Sequence, residues 1–384
     1  MSTDDIPQWA PAAAPLERTA DNVELDALYA AGAPARIAES GSLDPDDLKT
    51  LLQANTFTAQ AAQFSERLRA RHEGKERPLP TPWPSLNHAL TGKEDGGFWP
   101  GLHLLVGGTG SGKTQFALQC ALEAAQRGVP VLYVNLELAP LDLFTRLAAM
   151  LTGQKWSTVW NGVEALRTHD AKGAPVNPVA ALQALPFHWI DASRGWAYDR
   201  FIPHVEALRL HYPNRGENDP VLVVVDFLQL VGSPKGAREE LRERIAGASY
   251  QCRQLARTHS AVVLAVSSTS RENYAKVSGD GEPWEQSAAA LVGLGKESGE
   301  TEFSADSVLI LCREVCKEDG KGDGASPQTG TPVHIGVAKL RAGATNWIPL
   351  HFDGSELTEP KQVAPTSRPP ERNGRPVTPD AWKK

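Results

Sequence analysis

The residues of this chain with the clearest capacity for chemistry form one short glycine-rich loop, GGTGSGKT. It matches the pattern G-x-x-x-x-G-K-[ST], in which backbone N–H groups surround phosphate oxygens. The lysine brings a mobile positive charge to the β and γ phosphates, and the last hydroxyl completes the shell of a magnesium ion. The loop therefore predicts a site for a nucleoside triphosphate with Mg²⁺. Its residues are Gly107, Gly108, Thr109, Gly110, Ser111, Gly112, Lys113 and Thr114.

A strand and a helix must hold such a loop, and the flanking sequence predicts both. Residues 102–106 form an apolar run before it, and residues 115–127 carry apolar side chains at helical spacing. Gly128 and Pro130 then end the helical pattern. Since the start of a helix adds partial positive charge, this order favours a phosphate site over an ordinary glycine-rich turn.

Two acidic residues are candidates for the rest of the site. Asp226 follows the aliphatic run 221–225, which predicts a buried strand whose terminal carboxylate holds Mg²⁺ through a water. Glu137 follows the strand after the loop's helix, so a doubly wound sheet would place it beside the γ-phosphate, where it can activate water. From spacing alone, a solvated loop acid is an equally good interpretation of Glu137.

The remaining pattern predicts an α/β fold. Further apolar runs typical of strands lie at 131–135, 187–190, 261–266, 308–312, 333–338 and 347–352. Helical patterns between the early runs indicate a mostly parallel, twisted sheet with helices on both faces. The short turn at 342–345 predicts a C-terminal antiparallel hairpin at the edge of that sheet.

Several blocks, taken in order, resemble the motor domain of DnaB-type replicative helicases, which is the RecA-like core of helicase superfamily 4. They are PG before the first strand, GGTGSGKT, VLYVNLEL, VVVDFLQL, AVSSTSR, KESG with AD, and VAKLRAGATNWIPLHFDG. The resemblance covers residues 79 to 353 and implies a RecA-like P-loop NTPase core. It also implies hydrolysis of ATP with Mg²⁺ between subunits of a homohexameric ring that moves on single-stranded DNA.

The resemblance assigns roles that spacing leaves open. Glu137 matches the family's catalytic glutamate, which acts together with Lys113. Lys339 and Arg341 match a K-x-R pair that each subunit projects onto the γ-phosphate bound by its neighbour. Without the resemblance, the pair would be interpreted as two surface cations on a strand.

One block departs from the family pattern S-Q-x-x-R. The chain has SSTSR there, so Ser268 replaces the glutamine that senses the γ-phosphate, while Arg271 is retained. We predict that Gln229, Ser268 and Arg271 sense the nucleotide and couple its hydrolysis to movement. Because serine is shorter, it needs a water to span the same gap, and the change bears on coupling more than on nucleotide binding.

Loops that line the family's channel correspond to residues 226–238 and 272–283. They contain Lys235, Arg238 and Lys276, which are candidate contacts to DNA phosphates that position a strand without reading its sequence. A mobile glycine-rich surface loop is an equally good interpretation of this sequence.

Four segments are expected along the chain. Residues 1–40 are predicted to be disordered, 41–78 to form a helical linker or docking segment, 79–357 the RecA-like ATPase domain, and 358–384 a disordered, basic, proline-rich tail. The apolar stripe of the helical segment must pack on its own domain or on a neighbouring subunit. Prolines at 78–84 predict a stiff linker. The family's primase-binding collar has no expected counterpart.

Composition narrows the class of protein. Four cysteines, Cys120, Cys252, Cys312 and Cys316, are too few for a disulfide framework and indicate reduced thiols in the cytoplasm. The first residues are acidic where a signal peptide is basic, and no apolar run has the length of a membrane span. The net charge of −7 excludes a uniformly basic nucleic-acid binder, but a ring needs few cations per subunit.

A function from another class stays open at this point. The chain can be a RecA- or KaiC-like regulatory or remodelling ATPase, whose tails engage a protein partner without duplex unwinding. The acidic charge, the lack of a collar and Ser268 favour this alternative. The presence of Lys113, Asp226 and Glu137 argues against a scaffold that binds nucleotide without hydrolysing it.

Overall fold

The computed structural model describes most of residues 53–360. Its described residues are Gln53, 56–162, 168–169, 175–192, 195–213, 219–235, 238–269, Asn273, Trp284, 287–293, Glu302, 304–314, 331–341, Gly343 and 345–360. The segment 1–40 and nearly all of the predicted tail lie outside these residues, as do Arg271, Lys276 and Cys316.

The main sheet of the described chain has nine strands. These strands are β1 (Gly101–Gly107), β2 (Val131–Asn135), β5 (Phe187–Asp191), β6 (Val221–Asp226), β7 (Ala261–Ser268), β8 (Ser307–Arg313), β9 (Thr331–Leu340), β10 (Asn346–Phe352) and β11 (Leu357–Thr358). A separate pair consists of β3 (Thr168–His169) and β4 (Pro175–Val176). The lateral order of the main sheet is β11-β10-β9-β8-β1-β7-β6-β2-β5. Strands from β8 to β5 pair in parallel, whereas β9, β10 and β11 are antiparallel, so the predicted parallel sheet and edge hairpin are confirmed.

Helices cover both faces of the sheet, as predicted. They are α1 (Phe57–His72), α2 (Pro84–Thr91), α3 (Lys113–Gln126), α4 (Pro140–Thr152), α5 (Trp156–Trp160), α6 (Pro178–Gln183), α7 (Phe201–His211) and α8 (Leu241–Thr258). Helices α3 and α4 bury Phe116 and Leu143 in one core, and α7 and α8 bury Phe201 and Leu255 in the other. Each large side chain contributes about 1.5–3 kcal/mol of burial free energy. Short 3₁₀ turns lie at Tyr198–Arg200, Leu228–Leu230 and Ala288–Leu291.

The proline-rich segment 78–84 is packed against the domain instead of forming a free linker. Leu79 exchanges two backbone hydrogen bonds with Phe98 and is buried. Trp83, only 1% exposed, stacks on Phe116 with ring centroids 4.5 Å apart. Its Nε1 donates to the Leu357 carbonyl at 2.9 Å. The prolines predict stiffness correctly, but burial of a tryptophan decides where the segment lies.

Helix α1 leaves its apolar side chains uncovered by the described residues. Phe57, Phe64 and Leu68 are 80%, 42% and 66% exposed. Near the end of the same helix, Arg67 and Arg71 both reach Glu76, at 2.8 and 3.1 Å. The apolar stripe was expected to pack either on its own domain or on a neighbouring subunit. The described part of its own domain does not cover it. Docking on a second subunit stays a prediction.

Candidate active site

The phosphate loop connects the end of β1 to the start of α3, and its glycines are needed where they stand. Gly110 and Gly112 have φ of +77° and +99°, a region that L side chains rarely adopt. A Cβ on Gly107 would lie 2.6 Å from Ser111 Oγ and 2.7 Å from the Leu311 carbonyl oxygen. The sequence therefore shapes a tight turn that aims backbone N–H groups at a bound anion.

A cavity of about 430 Å³ opens over this loop, a volume suited to one small-molecule ligand. The loop from Thr109 to Thr114 lines one side of it. Glu137, Asp226 and Ser268, from three different strand ends, line another. The structure thus brings together residues that lie far apart along the chain, because parallel strands end at one edge of the sheet.

Lys113 is already held at the loop. Its Nζ donates to the carbonyls of Gly107 and Gly108 at 2.9 and 2.7 Å. Burial lowers the pKa of Lys113, and the charges of Asp226 and Glu137 oppose that shift. A bound triphosphate would offer the ammonium group stronger, charged acceptors within the same reach.

Asp226 occupies the last position of β6 and is 2% exposed. The Tyr133 hydroxyl donates to its Oδ2 at 2.7 Å, whereas its Oδ1 is buried without a hydrogen-bond partner. Burial raises the pKa of Asp226, and hydrogen bonds from Tyr133 and Thr114 lower it. A buried carboxylate oxygen without a partner destabilises the folded chain unless a cation or a water bound to a cation contacts it. Oδ1 of Asp226, with Thr114 nearby, therefore fits a site for Mg²⁺.

The residues available for a metal are few, which also suits magnesium. Among the described residues, no group of three His, Cys, Asp or Glu side chains could hold a metal ion. Mg²⁺ commonly uses one or two protein ligands together with waters and substrate phosphates. Thr114 and Asp226 supply that number, and the triphosphate would supply the remainder.

Glu137 lies two residues beyond β2 and is exposed within the cavity. Asn135, which ends β2, pairs with Asp226 of β6. Its side chain holds the turn by donating to the Leu138 carbonyl at 2.6 Å and accepting from Leu138 N at 3.1 Å. The turn thereby presents Glu137 on the same side of the loop as Asp226.

Gln229 and Ser268 are adjacent, as expected for residues that act together. Gln229 Nε2 donates to Ser267 Oγ at 2.8 Å, and Ser268 N donates to Gln229 Oε1 at 3.4 Å. Ser268 lines the cavity, whereas Gln229 is buried behind it. Their predicted partner Arg271 lies outside the described residues.

Lys339 and Arg341 lie at the other end of the sheet. Arg341 Nε is 3.1 Å from Asp306 Oδ1, and Lys339 Nζ donates to the Glu302 carbonyl at 2.9 Å. Asp306 also accepts from Leu102 N at 2.9 Å, next to the first residue of β1. Since the loop follows the last residue of β1, about 20 Å separates the pair from it at roughly 3.3 Å per residue. Neither cation lines the cavity of its own subunit.

Lys235 and Arg238 follow the end of β6 and are exposed outside the cavity. The structure therefore neither brings them to the nucleotide site nor joins them to Lys276, which lies outside the described residues. Their role as DNA contacts stays a prediction.

Several residues that line the cavity were not predicted from the sequence. Arg146 places its guanidinium 5.4 Å from the ring centroid of Trp156, and Phe352 completes that wall. Trp156 also contacts Trp160 edge-on, with ring centroids 5.9 Å apart. Arg313 Nη1 lies 3.5 Å from the Gly110 carbonyl. Tyr133 lies behind the cavity, bonded to Asp226, and the sequence does give a signal for it, because a tyrosine hydroxyl in a buried strand needs a partner.

Comparison with known proteins gives a consistent picture. The family model of the DnaB-like helicase C terminal domain matches residues 79–358. A structure of a DnaB-like replicative helicase, described with its interactions with primase, has a TM-score of 0.62 and 20% identity, over 88% of this chain and 76% of its own. A second solved structure, an ATPase domain, has a TM-score of 0.62 and 19% identity, over 80% of this chain and 99% of its own. No curated protein matches significantly in sequence. The expected RecA-like fold is confirmed.

Proposed function

Because the chain belongs to the DnaB-like helicase C-terminal domain family, we propose that it hydrolyses ATP between subunits of a homohexameric ring and moves on single-stranded DNA. The observation that supports this most is the separation of charges within one subunit. Lys113, Asp226 and Glu137 surround the cavity, whereas Lys339 and Arg341 lie at the opposite end of the sheet. If the cations of a neighbouring subunit complete the site, the location of both groups of residues, at the cavity and at the opposite end of the sheet, is explained.

The loop and Lys113 bind the triphosphate. Backbone N–H groups from Gly108 to Thr114 surround the phosphates at the start of α3, and Lys113 exchanges its two carbonyl acceptors for phosphate oxygens. Arg146 and Trp156 form the outer wall of the cavity, where a flat, partly apolar base can stack.

Thr114 and Asp226 would hold Mg²⁺, with Tyr133 orienting the carboxylate. When bound, the ion would supply positive charge that neutralises the negative charge developing on the phosphate oxygens. Asp226 contributes most in its ionised form, and the bonds from Tyr133 and Thr114 favour that form against the effect of burial.

Glu137 acts on the attacking water. Its exposed carboxylate in the cavity accepts the proton while the water oxygen attacks the γ phosphorus and the bond to the bridging oxygen of ADP breaks. Arg341 of a neighbouring subunit approaches the γ-phosphate, where its planar guanidinium can contact two oxygens as charge builds. Lys339 adds a second positive charge there.

Coupling to strand movement would start at Ser268. We propose that Ser268 senses the γ-phosphate through a water and passes its position to Gln229, through the hydrogen bond that joins them. Arg271 takes part in this coupling, and Lys235, Arg238 and Lys276 contact the DNA backbone in the channel. The tails are candidate contacts for a protein partner.

Cytoplasmic location is part of the proposal, and the cysteines support it. Cys120, Cys252 and Cys312 are free and buried. Burial raises the pKa of Cys252 and of Cys312 to about 12, which disfavours the reactive thiolate. As a separate finding, none of the described helices combines the length and apolarity needed to cross a membrane.

A regulatory or remodelling ATPase is the second candidate function, because a serine occupies the sensor position in the cavity. ATP turnover at low salt, measured with and without single-stranded DNA, separates the two functions. We expect stimulation by DNA, since a motor couples its hydrolysis to the strand it holds. Equal turnover with and without DNA would favour the regulatory function.

A further inference from the structure

A second cavity, of about 730 Å³, lies at the opposite edge of the sheet from the phosphate loop. The end of α1, residues 74–80 and the loop between α2 and β1 line it. Val129 and Pro220, just before β2 and β6, form its inner wall. Because these parallel strands begin here, the cavity is remote from the candidate active site. We call it the basic groove.

Positive side chains from separate parts of the chain converge on the basic groove. They are Arg71, Lys75, Arg77, Lys93 and Arg127. The acidic side chains that line it are Glu76, Asp95 and Asp219. Glu76 is already bonded to both Arg67 and Arg71, at 2.8 and 3.1 Å, so its charge is more than balanced. Five cations and three acids therefore line the groove, on a chain whose net charge is −7.

Two of these cations have no acidic partner among the described residues. Lys75 and Arg127 have acidic partners, Glu73 at 2.7 Å and Glu123 at 2.6 Å. Lys93 and Arg77 are exposed and form no ion pair in the part of the chain that is described, although Arg77 Nε donates to the Gly74 carbonyl. Such cations beside a cavity attract anions, and their contact with nucleic-acid phosphates releases the counterions condensed on the nucleic acid.

An aromatic ring lies among the cations. Trp99 is half-buried in the groove, and the Arg71 guanidinium lies 4.3 Å from its ring centroid. Positive grooves with interleaved aromatic side chains are typical of proteins that bind single-stranded nucleic acid, where bases stack and phosphates pair with Arg and Lys. An acidic peptide would use the cations but would leave the tryptophan without a role.

We propose that the basic groove binds the backbone of single-stranded nucleic acid, at a site separate from the predicted channel contacts. The choice of this ligand rests on the proposed function, in which the chain moves on single-stranded DNA. Arg77 and Lys93 contact phosphates, and Trp99 offers a face for a base. The site positions the strand and reads no sequence.

The test uses the full chain with Arg77 and Lys93 both changed to Glu. Fluorescence anisotropy of a labelled oligothymidylate gives Kd between about 50 and 200 mM salt. At low salt we expect Kd to rise about tenfold, and the salt slope to fall by about 1.4, since each lost contact to a single strand removes about 0.7. Turnover of ATP without DNA should not change.

The matched control changes Arg200 and Arg257 to Glu. Both are exposed, form no ion pair within the described chain and lie away from the groove, in or beside the helices α7 and α8. The control makes the same change in net charge and should leave Kd within about twofold, because only contact-range cations release counterions. If the Glu variant does not fold, Ala at positions 77 and 93 tests the same loss of contacts.

The possible results test the proposal for the basic groove separately from the proposed motor function. If the wild-type protein binds DNA and the groove variant has the same Kd and salt slope, the proposal for the groove is wrong. The proposed motor function would not be affected by that result. Wild-type protein that binds no single strand at low salt would overturn both. An oligoglutamate that loses affinity for the groove variant, while DNA does not, would assign the groove to an acidic protein segment. Photocrosslinking of iodouracil DNA to the peptide containing Trp99 is expected if the proposal is correct.

Discussion

At the scale of single residues, the buried contact between Tyr133 and Asp226 affects the charge of the carboxylate that we propose to hold Mg²⁺. Asp226 is buried, which by itself favours the neutral acid, whereas the hydrogen bond from Tyr133, together with the Thr114 hydroxyl, favours the carboxylate. The balance matters because only the carboxylate attracts Mg²⁺ strongly. In the proposed site, Tyr133 would therefore act through Asp226, as a positioning residue.

We predict that Tyr133→Phe weakens Mg²⁺ binding about 10- to 100-fold, the usual effect of losing a partner of a metal ligand. Loss of the hydroxyl also removes a bond that lowers the pKa of Asp226, so the acid limb of the pH–rate profile should move to higher pH. Titration of ATP turnover with Mg²⁺ at several pH values measures both effects.

Tyr198→Phe is the matched control for this change. Its hydroxyl donates to Glu239 at 2.8 Å, and neither residue lines the active-site cavity. The control should leave the Mg²⁺ dependence and the pH profile unaltered. Equal behaviour of the two variants would show that Tyr133 has a structural role only.

At the scale of elements, β1 runs from the side of the sheet where Arg341 lies to the phosphate loop, and it contains a buried histidine. His103 lies between Ser307 Oγ and the Trp99 carbonyl, each 2.8 Å from a ring nitrogen. Since the carbonyl can only accept, Nε2 carries the proton and Nδ1 accepts from Ser307 in the neutral ring. Burial lowers the pKa of His103 to about 4.

His103 should make the free energy of unfolding of the domain depend on pH. The unfolded chain binds a proton at His103 near pH 6.5, whereas the folded chain does so near pH 4, so protonation favours unfolding between these values. We expect the free energy of unfolding to fall by about 1.4 kcal/mol per pH unit in that window from this residue alone. Urea unfolding of wild type and His103→Gln at about pH 7, 6 and 5 measures it. A variant with the same pH dependence as the wild type would refute the assignment.

How far local sequence can predict a structure differs between parts of this sheet. The apolar runs of β1, β6 and β7 predict their positions within one or two residues, because a fully buried strand needs consecutive aliphatic side chains. The segment 78–84 was expected to be a linker, since proline content does not show that Trp83 finds Phe116 and Leu357. Contacts of that kind depend on distant chain segments, since Leu357 lies 274 positions from Trp83.

At the scale of the whole molecule, the two sets of residues assigned to the proposed site lie apart within one subunit. The phosphate loop follows the last residue of β1, and Arg341 lies beside its first residue through Asp306. This polarity suits a closed head-to-tail ring, in which every subunit offers the finger from one end and the nucleotide from the other.

A mixing experiment tests this arrangement. Lys113→Ala and Arg341→Ala proteins should each lose ATP turnover by about 10³-fold or more, the usual contribution of such a finger. Assembled together, they should regain part of the activity, because some interfaces pair an intact loop with an intact Arg341. Native mass spectrometry with a non-hydrolysable nucleotide shows whether mixed rings form. Mixed rings without activity, or an active Arg341→Ala protein, would contradict a site shared between subunits.

The sequence by itself determined the phosphate loop, the buried strands and the acid at the end of β6. These features depend on contiguous residues, where glycine backbone freedom and aliphatic runs act locally. Only the tertiary structure decided which polar groups meet: Tyr133 with Asp226, Gln229 with Ser268, and the cations around the basic groove. Such contacts arise from strand order and helix packing, which place distant residues within hydrogen-bond reach and leave no periodic signal in the chain.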